Sequence, residues 1–360
     1  MAETDIGKST TTNLTNKVDD FSVTQKALDY AGSGQSETYW YFSDAAKNFG
    51  YYKEIPELRT AINILATWTA GKGWSAESDL TQIQLDQLDG WGEDTFQSIM
   101  ENLLIVKKIV GDSFAEIVRN QDTGTLINLK PISPERMRLV IDRNGRIKRY
   151  DVMISTDNWK PMKREDILHL SNDRIGDEIH GNSVIDSCKW VIDALNEAMN
   201  DERKIKHREL ALGVLYVDTD DTTKINKIKD QYAEAINKGE VLVLPKDTAE
   251  LQDARVAPRE RLAWIQYLQN FFYIAVGVPR IMATSEGFTE AGGKVGFLTF
   301  EPVYTREQTL LEGDLWAQVA VKVKFERPPS LAGTLQEDEE KNTGQVGFQP
   351  QDTEASITRE

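Results

Sequence analysis

The chain is short of the residues that usually build reactive sites. It has one cysteine, Cys188, and three histidines, His169, His180 and His207. A single thiol excludes an intrachain disulfide and every multi-cysteine metal centre. Three scattered histidines suggest no metal cluster. Long apolar runs are also missing. The longest, Trp264 to Val278, spans about fifteen residues and is interrupted by Gln266, Gln269 and Asn270, whereas a membrane span needs about twenty apolar residues. No membrane contact is expected. The N-terminal residues are polar, so no secretory leader is expected and the compartment reads as cytoplasm. Positive charge is in deficit: 42 Lys and Arg stand against 58 Asp and Glu, a net charge of −16. Such a surface does not grip nucleic acid over its whole area, because phosphate binding depends on Lys and Arg releasing counterions. Any DNA contact must be local or weak.

What is present is a globular composition. The chain has 360 residues, 40% of them hydrophobic and 28% charged, enough for one large domain or two ordinary ones with a real core. Residues 1–20 are polar and aperiodic, which predicts a disordered arm. Residues 21–52 hold many aromatics, Tyr39, Trp40, Tyr41 and Phe42 among them, which predicts packing on the body or on a neighbour. Ile55, Leu58, Ile62, Leu65 and Trp68 share one helical face, and Gly71-Lys72-Gly73 ends that helix. Phe96 to Val110 is a second helix, stopped by Gly111.

The apolar period then becomes two. Phe114–Asn120 and Thr125–Leu129 flank a turn at Gln121-Asp122-Thr123-Gly124, and Met137–Asp142 and Arg146–Val152 flank Arg143-Asn144-Gly145. With Ile167–Leu170 these predict one mostly antiparallel sheet over 113–170. A long helix from Ser183 to about Leu212 carries a narrow stripe including Val184, Cys188, Val191 and Leu195, with a mixed charge run, Asp201 to Arg208, read as a solvated face. A small unit follows: a strand at Val214–Val217, a helix at Thr222–Lys238, and a return strand at Glu240–Pro245. A second long helix, Pro258 to Gly277, is so dense in Leu, Trp, Phe and Ile that it reads as buried nearly all round. A glycine-rich loop, Ser285 to Gly296, then a helical pattern interrupted by Pro302, then a strand at Val321–Phe325, complete the ordered part. Residues 331–360 are acidic and polar and read as disordered.

Motifs for chemistry are weak. Gly7-Lys8-Ser9 matches part of a phosphate-binding loop, but no strand pattern leads into it, and no ATPase site is expected. Asp218-Thr219-Asp220-Asp221 lacks the later ligands of a calcium loop and reads as the cap of the helix beginning near Thr222. Cys188 reads as a buried thiol, His169 as a satisfied core histidine and His180 as a turn residue. No nucleophile–base pair, metal site or cofactor site emerges, so the chain is not expected to be an enzyme.

Five segments carry a resemblance. Asn128-Leu129-Lys130-Pro131-Ile132-Ser133-Pro134-Glu135-Arg136-Met137 and Glu165-Asp166-Ile167-Leu168-His169-Leu170 resemble strand-leading segments of the tailed-phage portal (head–tail connector) family. Asp177 to Ile185 resembles the start of that family's first stem helix, Ala275-Val276-Gly277-Val278-Pro279 the end of its second, and Gly287 to Gly296 falls where the family has its tunnel loop. The resemblance covers about residues 55–325. It implies an α+β portal fold: a wing (mostly antiparallel sheet plus helices, with the N-terminal segment, 21–181), two long stem helices (182–212 and 258–280), a small α/β clip (213–257), a tunnel loop (281–296), and a helix with a wing return strand (297–330). Many members of that family end in a helical crown, but residues 331–360 show no helical periodicity, so a crown is expected to be absent or disordered.

The resemblance further implies a homo-oligomeric ring, usually of twelve subunits, at one capsid vertex, in the virion and beforehand in the host cytoplasm. Double-stranded DNA would pass through its channel in packaging and ejection. The implied partners are the large terminase, the major capsid protein and head-completion or adaptor proteins. Ser285, Thr289, Glu290 and Lys294 would face the DNA, and Asp220, Asp221, Lys224, Lys227 and Lys229 would dock the terminase or adaptor. Twelve copies would carry about 12 × −16 = −192, and a bore of that sign lets DNA slide rather than stick. Rival readings are another head–tail connector ring, or a phage-encoded nuclease or protease, for which the residues show no constellation.

Overall fold

The computed structural model describes residues 38–142, 145–155, 158–209, 213–217, 221–238, 249–253, 261–284 and 290–328. Strand β1 (Thr38–Tyr41) leads into helix α1 (Ala45–Glu54), and Pro56 opens α2 (Pro56–Ala70), where its missing N–H costs nothing. β2 (Trp74–Ala76) and α3 (Asp79–Asp86) follow, the Ser78 hydroxyl accepting from the Thr81 amide to cap α3. α4 (Phe96–Val110) begins in a reciprocal capping box between Thr95 and Ser98 and ends at Gly111, whose φ is 98°. Only glycine fits there. A Cβ on Gly111 would strike the Gly181 carbonyl, and one on Gly181 would strike the Gly111 carbonyl.

β3 (Asp112–Arg119) and β4 (Leu126–Ile132) form the first expected hairpin; β5 (Met137–Ile141) and β6 (Ile147–Ser155) form the second. β7 (Asn158–Met162) extends the second, and β8 (Ile167–Ser171) returns to pair with β3. The single sheet read from the sequence is therefore two. One has the order β4-β3-β8 and the other β1-β5-β6-β7, all antiparallel. The break falls at Pro134–Arg136, a 3₁₀ turn between β4 and β5 that starts on a proline with no N–H to continue a ladder. β7 contains Pro161, which suits its place at the sheet edge. The described start of the aromatic N-terminal segment is strand β1 of this sheet, paired with β5, and Arg138 of β5 lies 4.5 Å from the Tyr39 ring.

The first long helix begins later than its stripe. Asp186–Cys188 is a 3₁₀ turn, and α5 (Lys189–Glu209) follows it. β9 (Gly213–Val217) and α6 (Thr222–Lys238) come next. The expected return strand at 240–245 lies outside the described residues; the strand that pairs antiparallel with β9 is β10 (Ala249–Asp253), Gly213 opposite Asp253. α7 (Arg261–Val276) is the second long helix. α8 (Glu290–Asp314) contains Pro302 and passes into a π turn, Leu315–Val319, before β11 (Val323–Phe325) pairs with β2.

Three cores result. In one, α4 packs on the β3 sheet and is closed by Leu311, Leu315 and Val323. In the second, α2, α5, α7 and α8 meet through Leu58, Ile62, Val191, Leu268, Phe272 and Phe300. The third lies under the four-stranded sheet, around Phe114, Leu139 and Tyr150. Shortening Leu268 or Phe272 to alanine removes fully buried volume of a kind worth about 3–5 kcal/mol.

Candidate functional site

Two buried polar knots flank the helix–module–helix limb, α5 to α7: one ties the chain ahead of α5 to β3, the other ties α4 to α8. Asp112 has no exposed surface. Its carboxylate accepts from His169 Nε2 at 2.9 Å, His180 Nδ1 at 3.2 Å and the Gly181 amide at 3.0 Å. Burial alone would raise this carboxyl, but the two imidazole hydrogen bonds hold it at about 2. His169 Nδ1 meets the Tyr150 hydroxyl at 3.1 Å, so this core histidine is satisfied on both sides, as expected. His180 is not a simple turn residue. It ties the chain just ahead of α5 to the first residue of β3, with Phe42 edge-on to its ring.

The second knot joins α4 to α8. Lys107 and Lys108 are both buried and share one carboxylate: Glu307 Oε2 is 3.0 Å from Lys107 Nζ and Oε1 is 2.8 Å from Lys108 Nζ. Lys108 also donates to Asn172 Oδ1 at 2.8 Å. Against the cost of burial, the two ammoniums hold the Glu307 carboxyl at about 2. Burial lowers Lys108, as does the neighbouring Lys107. Such an arrangement is stable only while all its members are present.

The limb itself is unlike these knots. On α5, Val191 and Ile192 are buried while Trp190 and Met199 stay in solvent, and the charged run is solvated, with Lys204 pairing with Asp201 at 3.1 Å. Cys188 is buried, and burial raises its thiol, which suits a structural role. The reading of α7 as buried nearly all round is wrong. Ile265, Leu268, Phe272 and Val276 face the core, but Leu262 is 67% and Ile274 70% exposed, and Trp264 and Tyr267 are exposed as well. An aromatic row links the two helices: Trp264 stacks on Tyr267 at 5.6 Å, Tyr267 meets Phe271 at 5.1 Å, and Phe271 meets Trp190 at 5.1 Å. Several large apolar side chains exposed together on one helix are uncommon on a monomer's surface.

The residues singled out from sequence fall in two groups. On α6, Lys224, Lys227 and Lys229 are exposed. Asp221 is exposed at the start of α6, its carboxylate accepting from the Thr223 amide at 2.9 Å, the capping role expected. Asp220 lies outside the described residues. In the second group, Ser285 and Thr289 lie outside them too, and the glycine loop is shorter than expected. Arg280–Met282 is a 3₁₀ turn and α8 begins at Glu290, so Glu290 and Lys294 belong to a helix. The reason is packing. Gly296 lies so close to Ile281 that a Cβ there would come within 2.5 Å of the isoleucine side chain. That glycine serves close approach rather than loop freedom. Lys294 is half-buried. Among the described residues, no group of three or more His, Cys, Asp or Glu could hold a metal ion, and no helix is long and apolar enough to cross a membrane.

No family model matches the chain, and no curated protein matches it. Solved structures do. A chain from the neck of an empty gene transfer agent particle, computed with C6 symmetry, superposes with a TM-score of 0.62 at 16% identity, over 89% of this chain and 94% of the other. The fold is that of a particle-neck chain. A chain from the neck of the native particle, computed with C12 symmetry, superposes with a TM-score of 0.61 at 16% identity, over 87% and 92% of the two chains. A looser likeness, TM-score 0.49 at 14% identity over 81% and 96%, is to a HK97 family phage portal protein from Corynebacterium diphtheriae.

Proposed function

We propose that the chain is a portal protein, the head–tail connector subunit of a tailed phage or related particle. Copies of it form a closed ring, of about twelve, at one capsid vertex, and double-stranded DNA passes through the ring in packaging and ejection. The observation that carries this reading is the exposed apolar face of α7, on a chain with the fold of a neck protein. One copy leaves Leu262, Trp264, Tyr267 and Ile274 in water; a ring of copies gives each such face a neighbour. The C12 and C6 symmetry of the neck structures supports the same arrangement.

In this reading residues 21–181 and 297–330 are the wing and α5 and α7 the stem. Residues 213–257 are the clip, where Asp220, Asp221, Lys224, Lys227 and Lys229 meet the large terminase and then head-completion or adaptor proteins. Residues 281–296 approach the channel, Ser285, Thr289, Glu290 and Lys294 nearest the DNA. The role is mechanical, with ATP hydrolysis left to a separate motor, and the place of work is the virion after assembly in the host cytoplasm. A net charge of −16 per copy supports passage over retention, because the ring repels phosphate. The test is a particle assembled without this chain. It should fail to fill with DNA, and labelled chain supplied back should appear at one vertex. Normal filling in its absence would overturn the reading.

A further inference from the structure

A cavity of about 760 Å³ opens between β6, β8 and the π turn, within the range of about 300–1,000 Å³ usual for small-ligand sites. It lies outside the limb, and the portal reading makes no use of it. We propose that it is an anion site for a small ligand with a terminal phosphate.

Three observations converge on it. The first is charge. Arg164 and Arg174 line the cavity, and neither side chain has a hydrogen bond or ion pair to any described residue. Each guanidinium offers five donors in a planar fork that matches phosphate oxygens. Lys163 also lines the cavity and is paired with Glu165 at 3.3 Å. Asp314 is the remaining charged group of the wall, and burial raises its carboxyl. Three cations against two carboxylates leave a local excess of +1 on a chain whose total is −16.

The second is rigidity. Gln318 holds the backbone of His169 from both sides, its Oε1 accepting from the amide at 2.8 Å and its Nε2 donating to the carbonyl at 2.9 Å. Behind that wall the imidazole is fixed between Asp112 and Tyr150. The ligand would therefore meet a preorganised polar floor.

The third is backbone strain. Among the described residues, two that are not glycine have positive φ, Asp173 at 39° and Ala320 at 65°. Asp173 immediately precedes Arg174, and Ala320 ends the π turn whose Ala317 and Gln318 line the cavity. Left-handed non-glycine residues and π turns both cost stability, and both concentrate at functional sites. Here they stand beside residues that line the same cavity.

The phosphate could belong to a free anion, such as a diphosphate, or to the end of a nucleic acid strand. Isothermal titration of the full-length chain with pyrophosphate tests the site itself. Wild type should bind, more weakly as ionic strength rises. The double variant Arg164→Gln/Arg174→Gln should bind at least about tenfold more weakly, and Lys53→Gln, on α1, should bind as wild type. Both arginines are exposed, so the double variant should keep the wild-type melting temperature. Asp314→Asn, which removes the opposing carboxylate, should bind more tightly. No pyrophosphate binding by wild type, undiminished binding by the double variant, or loss of binding in Asp314→Asn would each overturn the proposal. Once pyrophosphate binding is established, tighter binding of a 5′-phosphorylated oligonucleotide than of its 5′-hydroxyl twin assigns the source to strand ends. Equal binding of the two assigns it to the free anion.

Discussion

Helices α4 and α7 have nearly the same length, 15 and 16 residues, and similar apolar wealth, yet they are finished differently. α4 is buried to the point of taking Lys107 and Lys108 inside, 3% and 6% exposed, and meets their charge with Glu307 from α8. α7 buries one side and leaves Leu262, Trp264, Tyr267 and Ile274 in solvent. The first helix is complete within one chain. The second leaves an apolar side uncovered by the described residues. A helix that conceals even its ammoniums serves the stability of the fold, and one that displays tryptophan and isoleucine is, on the portal reading, kept for assembly.

Breaking the α4 side should cost most. Glu307→Ala leaves two buried ammoniums without a counter-charge and should lower unfolding free energy by about 3–5 kcal/mol in urea titration. A loss below about 1 kcal/mol would mean that the knot is dispensable. Asp112→Asn, which keeps the volume but withdraws the charge from His169, His180 and the Gly181 amide, should cost about 2–3 kcal/mol. Acid should reach both knots at once. Asp112 and Glu307 have carboxyls held at about 2, below their ordinary values of 3.8 and 4.5. Their contribution is therefore fully present above about pH 5 and is lost as pH falls toward 2. Thermal melts across that window should fall steeply for wild type and more shallowly for Asp112→Asn.

Changing the α7 side should do the opposite. Replacing Trp264, Tyr267 and Ile274 together with serine should leave monomer stability within about 0.5 kcal/mol per site and abolish association. If association persists, the covered surface is elsewhere. The smallest effect on folding belongs to α6. Reversing charge at Lys224, Lys227 and Lys229, all exposed, should leave both stability and association unchanged and weaken only terminase docking in a packaging assay.

The long periodic elements were legible in the residues. α2 and α4 coincide with their apolar faces because a helix face must be buried somewhere and its spacing says so, and α6 spans the residues expected, Thr222–Lys238. Much of the rest was not legible, for identifiable reasons. The split into two sheets turns on Pro134, whose turn looks in sequence like any hairpin connection. β1, β2 and β7 are too short to show a period. The exposure of α7 was hidden because an all-round apolar helix reads the same whether its own chain covers it or a neighbour does. The knots were invisible because their members are remote: Asp112 meets His180 across 68 positions, and Lys107 meets Glu307 across 200. Adjacent lysines on the last turn of an apolar helix were the available hint. The cavity residues come from four separate segments, and the only local sign was a charged run, Lys163-Arg164-Glu165.

The central claim is that α7 is finished by a second copy of the same chain, in a ring. Native mass spectrometry of the purified full-length chain under assembly conditions tests it most directly, with the triple serine variant of α7 run beside it. The account predicts a closed species of about twelve copies for wild type and a 40.7 kDa monomer for the variant. A wild-type chain that stays monomeric, with α7 as exposed in solution as in the single copy, would contradict it.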